Sequence, residues 1–240
     1  MFSLLVRRDG LIEPPPMDGT DSHCHILPGL DDGAPDDETA IAIAGLLVEM
    51  GIHTVVATPH VISDVFPNST ASILDAANRF SALLSERKIP LRLIPGAEYY
   101  LEKHLLQRIA KDDIIAWGKE RFVLFESPVE REPMLLDEVV FSLKSAGYTP
   151  VFAHVERYRY LQNDYERIRE LKRLGVRFQV NHPSFHLPKI SRRGELARLL
   201  YIKGLVDLFG TDFHRATMNN CQQKKRRTGM RRTSSPFSRS

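Results

Sequence analysis

The chain has 240 residues, of which 42% are hydrophobic and 26% are charged. This composition is typical of a folded globular protein with a substantial core, and it excludes a disordered, collagen-like or disulfide-rich chain. The formal net charge is +3, but eight basic residues and no acidic residue fall in residues 215–240, which leaves residues 1–214 with a net charge of −5. We therefore expect no nucleic-acid partner for the main part of the chain.

The two ends of the chain differ from its middle. No stretch approaches the roughly 20 apolar residues of a membrane helix, and the short apolar run near the start precedes its basic residues, the reverse of a secretory signal. These features predict a cytoplasmic protein without membrane insertion. We expect an N-terminal extension at 1–17, one catalytic domain at 18–214 and a basic, disordered or aberrant tail at 215–240, because the tail has no apolar periodicity.

Short β-branched runs alternate with longer helical patterns between the two ends, which is typical of βα units and a parallel sheet. The predicted strands are Gly19–His25, Ile52–Thr58, Leu91–Pro95, Phe122–Glu126, Pro150–His154, Val176–Val180 and Val206–Gly210. The predicted helices are Asp37–Glu49, Thr70–Arg87, Glu102–Ala110, Met134–Ala146, Asn163–Leu174 and Ser191–Lys203. Seven strands predict an α/β fold, and the pattern leaves open whether it is a barrel one unit short of eight or a strongly curved open sheet.

Each predicted strand ends in or near a residue that can bind a metal or a polar ligand. In chain order these residues are His23, His25, His60, Glu98, Glu126, His154, Asn181, Asp212 and His214. From His25 onward, successive strand ends are 27 to 38 residues apart, about one βα unit each time. Because the carboxyl ends of parallel strands in a barrel open onto one face, the side chains would converge there.

The residue types at these strand ends indicate metal-assisted hydrolysis. His23 and His25 are two residues apart on a predicted strand, so both rings would point to the same side and could bind one ion. Imidazole and carboxylate donors without a usable thiolate suit manganese, iron or zinc, and such ions activate water. Cys24 would face the opposite side and pack in the core. Cys221 and Arg227 have the spacing of cysteine-dependent phosphatases but no glycine-containing loop between them, so we expect no thiolate nucleophile.

Arg157 follows His154 at the same predicted rim, where its guanidinium could hold two oxygens of a phosphate. The alternative for Arg157 is a surface ion pair with Glu156 or Glu166. Four aromatic residues just beyond strand ends could flank a flat ring or serve only in packing; they are Phe66, Tyr99, Tyr100 and Tyr158.

Six segments carry a more specific signal, and they are Asp21–Gly33, Ala57–His60, Gly96–Tyr100, Phe125–Glu126, Ala153–Tyr158 and Thr211–His214. In this order they resemble the metal-dependent bacterial tyrosine phosphatases of the polymerase and histidinol phosphatase (PHP) superfamily, which accompany capsular and exopolysaccharide synthesis. The resemblance implies a distorted, TIM-like (β/α)7 barrel in a single domain. It also implies three divalent metal ions, with manganese as the usual metal and iron or zinc as alternatives.

The resemblance further implies how the site residues divide among the ions. One ion would be bound by His23, His25, Glu98 and Asp212, a second by Glu98, Glu126 and His154, and a third by Asp32, His60 and His214, so that Glu98 bridges. The expected catalytic residues are Arg157, which would hold the phosphate, together with Asp32, His60 and His214. A metal-bound hydroxide would attack phosphorus in line, without a covalent phosphoenzyme.

The implied substrate is phosphotyrosine in the tail of a bacterial tyrosine kinase that controls polysaccharide synthesis. The residues by themselves indicate only metal-assisted hydrolysis of a phosphate ester or a similar bond, so two alternatives stay open. The first is another phosphoesterase of the superfamily, such as a histidinol phosphatase. The second is a catalytically impaired regulator that binds metal or phosphotyrosine, because residues 216–240 lack the amphipathic helix with which members of the family continue.

Overall fold

The computed structural model of the chain describes residues 15–215. Its strands are β1 (Thr20–Cys24), β2 (Thr54–Ala57), β3 (His60–Val61), β4 (Arg92–Pro95), β5 (Glu98–Tyr100), β6 (Phe122–Glu126), β7 (Thr149–Phe152), β8 (Arg177–Asn181) and β9 (Leu208–Gly210). Its α-helices are α1 (Asp37–Glu49), α2 (Thr70–Glu86), α3 (Lys103–Ala110), α4 (Leu136–Ser145), α5 (Tyr165–Arg173) and α6 (Arg192–Ile202). Two short 3-10 helices cover Val155–Arg157 and His182–His186.

The strands pair in parallel within two hydrogen-bonded sheets. One sheet has the order β1-β2-β4 and the other the order β3-β5-β6-β7-β8-β9. The chain after β9 returns to β1, where Cys24 forms a parallel bridge with Phe213 and the Asp212 N–H donates to the His23 carbonyl at 2.8 Å. The result is an α/β domain with a strongly curled parallel sheet, which confirms the predicted class.

Two of the predicted strands are each followed by a second short strand. The second predicted strand ends before Pro59, which has no N–H to donate to a ladder, and β3 begins at His60. The third ends before Gly96, where a Cβ atom would lie 2.9 Å from Cγ1 of Val56, and β5 begins at Glu98. The sequence did not predict β3 and β5 as strands, although the residues that begin them, His60 and Glu98, were both identified.

The helices begin and end at local signals. The Asp36 carboxylate accepts a hydrogen bond from the Thr39 N–H at 2.8 Å and caps α1, and Gly51 leaves the helix end in a left-handed conformation with φ of 84°. Ser69 and Ser72 form a reciprocal capping box at the start of α2. Because these signals are local, the predicted ends of all six helices agree with the structure within two residues.

The buried faces of the sheet and helices form one main hydrophobic core. Phe152 lies within it, with ring centroids 4.8 Å from Phe125 and 4.5 Å from Tyr158. Cys24 is fully buried in the same core, as predicted. Among the helices of residues 15–215, none has the length and hydropathy to cross a membrane.

The predicted terminal segments lie almost wholly outside the described residues. The structure begins at residue 15 and ends at residue 215, so the boundaries at 17 and 215 stay predictions. Cys221 and Arg227 also lie outside the described residues, and the expectation that they form no nucleophilic site stays a prediction.

We expect Phe152→Ala to lower the free energy of unfolding by about 3–5 kcal/mol, because it removes a ring stacked on both faces and leaves a cavity. Denaturant unfolding measures the change. Phe141→Ala is the matched control, since the Phe141 side chain on α4 is 70% exposed and its loss should change stability by less than about 0.5 kcal/mol. Equal effects of the two substitutions would contradict this description of the core.

Candidate metal centre

All nine predicted metal-ligating residues gather at the carboxyl end of the curled sheet. They are His23 in β1, His25 and Asp32 after it, His60 at the start of β3, Glu98 at the start of β5, Glu126 at the end of β6, His154 after β7, and Asp212 and His214 after β9. Glu98, His23 and His25 are fully buried, and His154 is nearly so. Residues far apart in sequence therefore share one site, as the spacing predicted.

Four donor atoms form a compact group around the Glu98 carboxylate. The Nε2 atoms of His23 and His25 are 3.0 Å apart and lie 3.1 Å and 3.3 Å from Glu98 Oε2. Asp212 Oδ1 lies 3.5 Å from His23 Nε2 and 3.3 Å from His25 Nε2. Ligand atoms bound at about 2 Å to one ion stand about 3 Å from one another, so the two nitrogens have ligand-like separations from each other and from both carboxylate oxygens.

The orientation of the two rings supports a cation between them. His25 directs its Nδ1 to Asp31 Oδ2 at 2.7 Å, and His23 directs its Nδ1 to Gln179 Oε1 at 3.0 Å. An N–H facing each of these oxygens leaves the Nε2 lone pairs of both rings pointing at each other. A proton on one Nε2, or a metal ion bound between the two, relieves the repulsion of these lone pairs.

A second group surrounds the carboxylates of Glu98 and Glu126. His60 Nδ1 lies 3.2 Å from Glu98 Oε2 and 3.1 Å from Glu126 Oε1, but it is buried and makes no hydrogen bond with acceptable geometry. His154 Nε2 lies 3.0 Å from Glu98 Oε1 and 3.7 Å from Glu126 Oε2. The resemblance had placed His154 alone beside this carboxylate pair, whereas the structure brings both His60 and His154 to it.

A third group lies nearer the surface. Asp32 Oδ1 is 3.7 Å from His60 Nε2 and 3.4 Å from His214 Nε2. The His214 ring stacks on His25 with centroids 3.9 Å apart, and its Nδ1 donates to the Asp212 carbonyl at 3.0 Å. His214 therefore presents its Nε2 lone pair to Asp32 and His60.

The electrostatics of the site favour ionised carboxylates. Burial would raise the pKa of Glu98 and of Asp212, but the neighbouring imidazoles, His23 first among them, hold both pKa values well below the usual range. Burial would lower the pKa of His23, and the carboxylates of Glu98 and Asp212 raise it to about 9. Burial and the charge of His25 lower the pKa of His214, which keeps its ring neutral.

The residues present fit divalent metal ions. The donors are imidazole nitrogens and carboxylate oxygens, a set that suits manganese, iron or zinc. The buried Cys24 thiol faces the Phe213 carbonyl at 3.7 Å and takes no part in the groups described above. The unsatisfied Nδ1 of His60, held between two carboxylate oxygens, is a polar atom that a bound ion would satisfy.

Arg157 reaches the edge of this site. Its Nη1 donates to Asp212 Oδ2 at 3.1 Å, so its ion-pair partner is a predicted metal ligand rather than Glu156 or Glu166. Its Nε is buried and has no hydrogen-bond partner among the described residues, and its side chain is 34% exposed. A charged, partly exposed side chain with an unpaired donor beside the candidate metal ligands has the properties needed to hold an anion.

Two of the four rim aromatics are core residues. Tyr99 and Tyr158 are almost fully buried, and their hydroxyl groups accept hydrogen bonds from the N–H groups of Ile115 and Ser127. Of the two alternatives for these tyrosines, their burial and hydrogen bonds favour packing. Phe66 instead lies beside the site, half-buried, with its ring nearly parallel to His60 and 5.7 Å from it.

Asp31, which was not predicted from the sequence, supports the site from beneath. Its Oδ2 accepts from His25 Nδ1 and, at 2.9 Å, from the His60 N–H, while Oδ1 accepts from the Gly33 N–H. Its side chain is buried, whereas the Asp32 side chain is 59% exposed. The sequence signal for this loop was the adjacent pair of aspartates followed by Gly33, where a Cβ atom would lie 2.3 Å from the His25 carbonyl oxygen. No sequence pattern tells which of the two aspartates turns inward.

The chain is similar to known bacterial proteins over most of its length. The family described as capsular polysaccharide synthesis, CpsB/CapC, matches residues 19–235. Tyrosine-protein phosphatase YwqE of Bacillus subtilis (strain 168) is 34% identical over 164 residues, which are 68% of this chain and 65% of that protein. Tyrosine-protein phosphatase CpsB of Streptococcus pneumoniae is 28% identical over 201 residues, which are 81% of this chain and 82% of that protein.

A solved structure has the same fold. It is described as belonging to YwqE from Bacillus subtilis and CpsB from Streptococcus pneumoniae, unique metal-dependent tyrosine phosphatases. It matches with a TM-score of 0.76 at 28% identity and covers 88% of this chain and 87% of that chain. The likeness therefore extends over most of the chain.

We expect His23→Ala to lower the divalent metal content of the purified chain, because it removes one of four donor atoms in the most buried group. Elemental analysis after dialysis against trace metal measures the content. His104→Ala is the matched control, since His104 is an exposed residue of α3 outside the three groups. Equal metal content in the two variants, with both folded, would contradict the assignment.

Metal binding should release protons at neutral pH. The pKa of His23 is about 9 in the metal-free chain, so at pH 7 its ring carries a proton that an ion must displace. The affinity for the ion should therefore rise as the pH increases from 6 to 8. Calorimetric titration in two buffers of different ionisation enthalpy measures the proton count, and a pH-independent affinity with no proton release would be the contrary result.

Proposed function

Because the chain belongs to the CpsB/CapC family of capsular polysaccharide synthesis proteins, we propose that it is a metal-dependent protein-tyrosine phosphatase. The observation that carries this proposal is the convergence of three donor groups, rich in carboxylates and imidazoles, beside a partly exposed guanidinium. The proposed substrate is a phosphotyrosine protein. Its proposed source is the tail of a bacterial tyrosine kinase that controls capsular or exopolysaccharide synthesis, and the proposed location is cytoplasmic.

We assign three divalent ions to the site, with manganese expected and iron or zinc as alternatives. The compact group of His23, His25, Glu98 and Asp212 supports the first ion. The carboxylates of Glu98 and Glu126 with His154 support the second, and Asp32, His60 and His214 support the third. The proximity of His60 Nδ1 to the second group makes His60 a shared side chain between the second and third positions.

The curled sheet supports a distorted seven-unit barrel as the scaffold. The N–H groups of Gly96 and Glu98 donate to the carbonyls of Ala57 and Pro59, at 2.9 Å and 3.0 Å, across the two strand breaks. These bonds continue the parallel pairing between the β2–β3 segment and the β4–β5 segment through both breaks. Counted as one strand each, these two segments reduce the nine short strands to seven. The bridge from Cys24 to Phe213 would close the ring of strands.

The side chains of this chain would bind and orient the phosphate. Bound divalent ions lower the pKa of coordinated water and polarise phosphoryl oxygens. Arg157 would turn its free Nε and its Nη groups toward the nonbridging oxygens, while Asp212 holds the guanidinium in place. The flat ring of Phe66 beside His60 favours an aromatic leaving group over a small aliphatic one.

Turnover of three substrates tests the proposed function against its alternatives. We expect hydrolysis of para-nitrophenyl phosphate and, more efficiently, of a phosphotyrosine peptide in manganese, with loss of turnover in a chelator and in His154→Ala. His104→Ala should behave as the unsubstituted chain. Preference for histidinol phosphate would support another phosphoesterase of the superfamily, and phosphotyrosine binding without turnover in a folded, metal-loaded chain would support a regulator; either result would contradict the proposal.

Arg157→Ala should lower kcat/KM for the phosphotyrosine peptide by about 100-fold or more, because it removes a charged donor aimed at the phosphate. Steady-state kinetics with saturating manganese measures the loss. Arg159→Ala is the matched control, since Arg159 is 68% exposed and pairs with Glu130 away from the metal ligands. Similar kcat/KM values for the two variants would show that Arg157 does not hold the phosphate.

A further inference from the structure

Strand β8 carries two buried amide side chains that do not belong to the three metal-ligating groups. Gln179 and Asn181 alternate with the apolar Phe178 and Val180, and their relative exposures are 0% and 8%. An amide buried in a strand needs partners for both its oxygen and its nitrogen, or it destabilises the fold. These two amides bond to each other and to three of the candidate metal ligands.

The hydrogen bonds of Gln179 fix which way its amide points. The backbone N–H of His154 faces Gln179 Oε1 at 2.7 Å, and because an N–H can only donate, the side-chain atom at this position must be the acceptor oxygen. The same oxygen faces His23 Nδ1 at 3.0 Å. The neutral His23 ring must then carry its proton on Nδ1, which leaves the Nε2 lone pair for the group around Glu98.

The same oxygen also holds the backbone of a second ligand. His154 has φ of 30° and ψ of 51°, a left-handed conformation that residues with a side chain rarely adopt. The bond from its N–H to Gln179 supports that conformation. The conformation in turn directs the His154 ring toward Glu98 Oε1, 3.0 Å from its Nε2.

Asn181 extends the chain of amides to a third ligand. Gln179 Nε2 donates to Asn181 Oδ1 at 2.9 Å, and Asn181 Nδ2 donates to Asp212 Oδ2 at 2.7 Å. Because Asn181 Oδ1 is occupied by Gln179, its amide group can only donate to Asp212. Asp212 Oδ1 is then left facing His23 and His25.

We infer that Gln179 is a positioning residue whose Oε1 sets the Nδ1–H tautomer of His23 and the backbone of His154, and whose Nε2 acts through Asn181 on Asp212. One side chain thus aligns ligands contributed by three other strand ends. The inference rests on the proposed function, since it requires that these residues bind ions. The inference predicts that Gln179 affects how the ion is coordinated, in addition to satisfying buried hydrogen bonds.

Metal binding by two Gln179 variants tests this role. Gln179→Met keeps the length of the side chain but removes acceptor and donor, and we expect the affinity for Co²⁺ to fall about 10- to 100-fold with an altered visible spectrum of the bound ion. Gln179→Glu keeps an oxygen for His23 and His154, so it should recover much of the affinity and spectrum. Gln107→Met, at an exposed position on α3, should match the unsubstituted chain.

The unsubstituted chain supplies a measurement that needs no variant. In the Zn²⁺-loaded chain, nitrogen-15 NMR of the histidine rings should find a proton on His23 Nδ1 and the metal on Nε2. The opposite tautomer would overturn the inference, as would a Gln179→Met variant that binds Co²⁺ with unchanged affinity and spectrum. A full chain that binds neither Co²⁺ nor Mn²⁺ would overturn the proposed function as well, whereas the first two results would leave it standing.

Discussion

A fully buried carboxylate, Glu98, lies within 3.0–3.3 Å of ring nitrogens from four histidines, and the rest of the site follows from this contact. An ionised carboxylate without compensating charge is strongly disfavoured in a protein interior. Around it stand the carboxylates of Asp31, Glu126 and Asp212 and the single guanidinium of Arg157. With neutral imidazoles the negative charges would exceed the positive charge, so the site requires protons or metal ions. In the metal-free chain the carboxylates hold a proton on His23, whose pKa they raise to about 9, and divalent ions bound by the same nitrogens and oxygens would take over that role.

The parallel sheet makes this concentration of charge possible. Because the carboxyl ends of parallel strands point the same way, each strand end can contribute one or two ligands, and their separations are then fixed by strand spacing rather than by flexible loops. Groups beneath the ligands refine the arrangement: Asp31 fixes the ring of His25, and Gln179 fixes that of His23. Metal selectivity and catalysis would therefore depend on residues that never touch an ion.

Much of this could be predicted from the sequence, and the failures have physical causes. The helix α1 was predicted with its observed bounds because Asp36 and Gly51 act locally, whereas the strand break at Gly96 depends on its close approach to Val56, a tertiary contact. The candidate ligands were predicted because histidine, glutamate and aspartate recur at the ends of successive predicted strands. The sequence left both alternatives for Tyr99 open, because the direction of a side chain beyond a strand end is set by packing. The inward turn of Asp31 instead of Asp32 is set by the loop that holds them.

Cations should occupy the space among the buried carboxylates and imidazoles, and every other feature of the site depends on their doing so. Anomalous diffraction at the manganese absorption edge, from crystals grown with manganese, tests this occupancy most directly. We predict a strong anomalous peak bounded by His23 Nε2, His25 Nε2, Glu98 and Asp212, with further density beside Glu126 and beside Asp32. Anomalous peaks confined to the protein surface, with none among these side chains, would contradict the predicted occupancy.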